Sequence, residues 1–162
     1  MMNRNKTKEL ALSGMIAALY VVLTWLANAM GLASGAVQVR FSEALTILPV
    51  FFTAAVPGLT VGCVLANLLT GLALWDVVFG SLATLIGAAG TRLLRNKPLL
   101  AWIPPVLSNM LIVPIVLMKV YGVPESWFYL VLTVGAGEVI SCGVLGLLLY
   151  HGLKKVVNTA AV

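Results

Sequence analysis

The sequence predicts an all-α integral membrane protein, a single bundle of six transmembrane helices. Three observations carry that class. Of 162 residues, 61% are hydrophobic and 9% charged, with mean hydropathy +1.07. A soluble domain carries about 25% charged residues, and a chain this short cannot bury the difference in a larger core. The apolar residues also fall into successive runs. The basic residues behind the net charge of +5 sit at the ends of those runs, so topology rather than nucleic acid accounts for them.

The spans are expected at about 9–30, 41–56, 58–74, 76–91, 99–119 and 127–153, in one domain covering 1–162. A straight helix needs roughly 20 residues to cross the hydrocarbon core, so spans two to four fall short and call for kinks, re-entry or shielding by neighbours. Pro49 should bend the second span. Pro57-Gly58 is the expected break before the third. The apolar part of the first span is longer than the roughly 7–15 residues of a signal-peptide core, so it is expected to be retained. No internal repeat argues for an inverted-repeat transporter.

Charge then orients the bundle. One side receives Arg4, Lys6, Lys8, Arg92, Arg95, Lys97, Lys154 and Lys155; the other receives only Arg40 and Lys119. Eight against two puts both termini in the cytoplasm by the positive-inside rule.

Small residues repeat at helical spacing. Asp76, Gly80, Ala83 and Gly87 form one stripe; Gly135, Val139, Gly143 and Gly146 form another, with Glu138 and Cys142 at its margin. Both suit close packing inside the bundle. The Ala11/Gly14/Ala18 stripe of the first span suits either the bundle or a partner protein. Cys63 and Cys142 lie in apolar runs without metal-ligand spacing and are expected as small core residues.

Polar side chains at membrane depth need a reason, because hydrocarbon penalises them. Glu138 is the sharpest, with no basic residue within two turns: either a neutral acid bonded to another helix, or part of a ligand or ion site. Asn67 and Asn109 suit interhelical hydrogen bonds or a ligand. Asp76 and Glu43 are expected to open helices at the outer surface, where the helix dipole favours a carboxylate. Arg40 can pair with Glu43 at the interface. Trp75, Trp127 and Tyr129 sit where an outer aromatic belt belongs, or where a planar ligand could be stacked. Together the outer residues suggest a pocket open to the outside, floored by Glu138 and Asn109. His151 marks the inner end of the last span. GxxxxGK[ST], HExxH and GxSxG are all absent, so no ATP hydrolysis or catalytic dyad is read here.

The segments VRFSEALTILP, GCVLAN and DVVFGSLATLIGA, with Pro105–Asn109 and Gly137-Glu138, resemble the QueT family over about 7–153. These are substrate-binding S components of energy-coupling-factor (ECF) transporters. The resemblance implies a six-helix S component in the plasma membrane that binds a deazaguanine, preQ1 or preQ0. It also implies docking, through the first helix and its Ala11, Gly14 and Ala18 face, onto a membrane coupling subunit driven by two ATPases. ATP is then used by the partners, and this chain holds no cofactor or metal. A guanine-like edge offers paired N–H donors to a carboxylate, its carbonyl wants an amide or a cation, and an aminomethyl group wants a second acid. Glu138, Asp76 and Glu43 are the candidate acids, Asn67 and Asn109 the amides, Arg40 the cation, and Trp75 or Trp127 the stacking platform. The alternatives are an S component for another vitamin or base, a small membrane enzyme using Glu138 as acid or base, and a purely structural subunit.

Overall fold

The structure, a computed structural model, describes residues 4–32 and 37–160. Helix α1 spans Arg4–Ala29, a 3-10 helix Phe41–Val50, α2 Ala55–Leu69, α3 Leu74–Leu93 and α4 Ile103–Val120. The last run is α5 (Trp127–Glu138), a π-helical segment (Val139–Leu145) and α6 (Gly146–Ala160) without a break. No strand occurs among the described residues.

Among the described residues, four helical runs are long and apolar enough to cross a membrane: Asn5–Ala29, Leu74–Leu93, Pro98–Val120 and Trp127–Val156. Three expectations change here. The fourth span, expected to be short, runs for 20 residues. The second is a 10-residue 3-10 helix ending at Val50, and the third begins at Ala55 rather than after Pro57-Gly58. Pro57 instead occupies the first turn of α2, where a missing N–H leaves no intrahelical bond unmade. The chain turns at 51–54, ahead of it.

The short 3-10 helix is the centre of the bundle: α1, α2, α3, α6 and the π segment all pack against it. Seven of its ten residues are buried. Such helices seldom exceed 3–4 residues, because their hydrogen bonds are poorly aligned, so side chains from neighbouring elements must hold this one. At its start the backbone N–H of Arg40 donates to Ser141 Oγ at 3.1 Å. At its end Arg92 Nη1 from α3 donates to the Pro49 carbonyl at 3.0 Å, satisfying an otherwise orphaned acceptor. Thr24 of α1 donates to Ser42 at 2.8 Å.

Glycines permit several close approaches. A Cβ on Gly58 or Gly62 would lie 2.7 Å from the Ser13 carbonyl oxygen or 2.8 Å from Tyr20 Cβ, so α1 sits directly on α2 there. A Cβ on Gly137 would fall onto the Gln38 carbonyl, so the strap entering the 3-10 helix lies directly on α5. The small α3 stripe packs inward at Ala83 and Gly87, the latter against Pro105 of α4. In the last stripe Val139 turns outward while Glu138 and Cys142 are buried, since the π turn shifts the face.

Candidate functional site

Two regions hold the polar residues, and Arg40 connects them. The outer region is a cavity of about 570 Å³. Arg40, Asn67 and Asp76 line it, together with Thr24, Gln38 and Tyr121. Asn67 Nδ2 donates to the Asp76 carbonyl at 3.0 Å, an interhelical bond between α2 and α3. Tyr121, just beyond α4, donates its phenol to the Asp76 carboxylate and accepts from the Ala73 N–H at 3.3 Å. Partial desolvation, then the bond to Asp76, raises the phenol above its ordinary pKa.

The inner region is a buried acidic cluster. Glu43 is 1% exposed, so it does not open a helix at the surface as expected; the 3-10 turn carries it inward. Arg40, Glu43 and Thr46 share one edge, because a period of three aligns residues three apart. Tyr20 of α1 donates to Glu43 Oε1. Glu43 Oε2 is buried without a hydrogen-bond partner among the described residues. Glu138, at the junction of α5 and the π segment, accepts from Cys142 Sγ at 3.2 Å through Oε2. One ligand atom from each of Glu43, Glu138 and Cys142 lies within 4.8 Å of the others.

Asn109 of α4 sits beside both carboxylates, and the Arg40 charge acts on both. The interfacial Arg40–Glu43 salt bridge is not formed: among the described residues no ion pair within 4.0 Å joins them. Long 3-10 runs and π turns are each uncommon, and π turns gather at functional sites. Here the two face each other, with Glu43 on one and Glu138 at the edge of the other.

Five elements thus converge: α1, the 3-10 helix, α4, α5 and the π segment. The donor set offers carboxylate oxygens, one amide and a guanidinium in a desolvated place. That arrangement can take N–H donors or a cation. Neither Trp75 nor Trp127 joins it: Trp75 stacks on Phe79 with centroids 5.7 Å apart, Trp127 meets Phe128 edge-on, and both are exposed.

Sequence reasoning missed Tyr20, Gln38 and Tyr121. Only Tyr20 left a usable trace, as it shares a helical face with Thr24. Cys142, expected as a plain core residue, belongs to the cluster as well. On α1, Ala11, Gly14 and Ala18 lie on the exposed face, and a Cβ on Gly14 would meet nothing within 4 Å.

The sequence matches the family described as QueT transporter over residues 10–155. A curated relative, the queuosine precursor transporter QueT of Lactococcus lactis subsp. cremoris, is 34% identical over 86 residues. That stretch is 52% of this chain and 50% of the relative, so the match spans about half the relative's length. No solved structure matches. The family match takes in every element that contributes to the cavity and to the acidic cluster, and the chain belongs to the QueT transporter family.

Proposed function

We propose that this protein is the substrate-binding S component of an ECF importer, and that it captures a queuosine precursor, preQ1 or preQ0. In this reading all six helical segments lie in the plasma membrane with both termini cytoplasmic. The 570 Å³ cavity faces outward. Delivery inward follows docking of the α1 face on a coupling subunit with two ATPase subunits, which spend the ATP.

The observation that carries the reading is Glu43 Oε2, buried and unpartnered beside Glu138. A desolvated acceptor of that kind is costly unless a ligand supplies its donor. A deazaguanine edge supplies two parallel N–H donors to one carboxylate. An aminomethyl cation suits the second. Arg40 and Asn109 are left for the ring carbonyl, while the Asn67 amide is already committed to the Asp76 carbonyl. The printed name of the Lactococcus lactis relative, a queuosine precursor transporter, points to the same substrate class.

The test is ligand identification on purified protein, by native mass spectrometry and thermal shift with preQ1, preQ0, guanine and a vitamin panel. A deazaguanine at 100 times its Kd should stabilise the fold by about 2.7 kcal/mol without being turned over. No shift with either deazaguanine sinks the substrate assignment. Conversion of a ligand would argue for an enzyme instead.

A further inference from the structure

At the end of the bundle away from the acidic cluster, two cavities meet at one residue. The first, about 400 Å³, is lined by Lys97, Pro98, Leu100, Tyr150, His151 and Lys154. The second, also about 400 Å³, is apolar and runs past Trp102, Gly143, Val144, Leu147 and Leu148 to the same His151. The Leu147 carbonyl accepts from His151 Nδ1 at 2.8 Å, which holds the ring at the junction. Lys154 Nζ lies 6.0 Å from the centre of the Tyr150 ring. Among the described residues no carboxylate lines either cavity.

Position gives the pair its meaning. The first cavity lies where three of the long apolar runs terminate: Leu74–Leu93, Pro98–Val120 and Trp127–Val156. That is headgroup depth for a protein of this class. The second extends from it along the exposed flank of the last run, where Val144 is 54% and Leu148 65% exposed. Exposed apolar side chains facing lipid are ordinary. A concave apolar groove that ends in a cationic pocket is a shape with two chemistries in series. Basic pockets between membrane helices take anionic headgroups, held by charge rather than by a fixed hydrogen-bond pattern.

We propose that these two cavities form a binding site for one anionic glycerophospholipid. Its phosphodiester lies between Lys97 and Lys154, and one acyl chain follows the Trp102–Gly143–Leu148 groove. The lipid thereby bridges the Pro98–Leu100 connection and α6, two parts of the chain that the fold otherwise leaves as neighbours at this surface. Transport substrate and lipid occupy different places, so this site stands whether or not the deazaguanine reading does.

The experiment uses the full chain in nanodiscs, with phosphatidylglycerol and phosphatidylcholine of identical acyl chains, read by native mass spectrometry after release. One phosphatidylglycerol should be retained per protein, with phosphatidylcholine displaced from the same position. The paired variant Lys97→Gln/Lys154→Gln should weaken retention roughly 30-fold, as each lysine near the headgroups is worth on the order of a factor of five. Arg95→Gln/Lys155→Gln removes the same charge from outside the lining and should retain the lipid. Equal losses in both pairs would show diffuse electrostatics and overturn the site. So would equal retention of the two lipids, or displacement of phosphatidylglycerol by millimolar inorganic phosphate. Should the lysine pair fail to fold, Leu148→Asp in the groove reads the same site, with loss of the lipid expected and full retention counting against it.

Discussion

Tyr20 donates to one oxygen of the Glu43 carboxylate, and the other oxygen has no partner among the described residues. One side chain on the first helix therefore fixes which lone pairs of the central acid remain open. Glu43 is held as an acceptor with a set direction, where a freely rotating carboxylate would have to be ordered by each ligand that arrives.

Removing that phenol separates orientation from charge. Tyr20→Phe should lower ligand affinity several-fold and cost about 1–3 kcal/mol of stability, because a buried acceptor loses its donor. Titration of the purified variant, alongside its melting curve, checks both. Unchanged affinity with lowered stability would make Tyr20 a packing residue.

The acids themselves should matter more. Glu138→Gln and Glu43→Gln are each expected to lose well over tenfold in affinity at normal expression, since truncating a desolvated charged hydrogen bond costs about 2–5 kcal/mol. The pair lies within 4.8 Å, so the double variant should deviate from additivity. Wild-type affinity in either single variant would remove that residue from the site.

Docking should be separable from binding. Gly14 and Ala18 are exposed, and a Cβ added at Gly14 would meet nothing within 4 Å. Gly14→Leu and Ala18→Leu are expected to fold and bind ligand normally while abolishing uptake in cells that carry the proposed ECF module. Normal uptake in both would move the partner surface elsewhere.

Gly137→Ala tests the strap that carries Gln38 over α5. The new Cβ would meet backbone, which cannot swing aside. A loss of about 1–3 kcal/mol is expected, as for overpacking elsewhere. Gly14→Ala is the matched control, neutral or slightly stabilising through helix propensity. Equal melting temperatures for the two would mean that the strap can lift.

Much of this was legible beforehand, for identifiable reasons. Hydropathy marks apolar runs whatever their partners, so the helical class and most boundaries follow from the chain. Glu138 and Asn109 stand out because polar groups at that depth are rare, whereas Glu43 reads as a helix opener at the surface and is in fact buried. Their company does not stand out: Tyr20 reaches Glu43 across 23 residues and Cys142 across 99, and no local pattern encodes such pairings. The 3-10 helix reads as a longer span, since its sequence is as apolar as an α-helix would be. The break at 51–54 leaves no such mark, because Pro57 reads as a terminator although proline is equally at home in a helix's first turn. The tryptophans carry bulk and polarity suited to a ligand, yet their helices turn them outward.

The buried 3-10 helix also constrains how the protein is made. A segment of ten residues is far too short to enter a bilayer as an autonomous unit. Its carboxylate and its turns emerge from the ribosome early, whereas Cys142 and Ser141, which bond to it and to its entry, come about a hundred residues later. Until then the segment must wait at the membrane surface or against α1 and α2. Its burial is therefore completed only once the π turn has arrived, and a chain cut short before that turn should leave the segment more open to proteases or to aqueous thiol and amide labels.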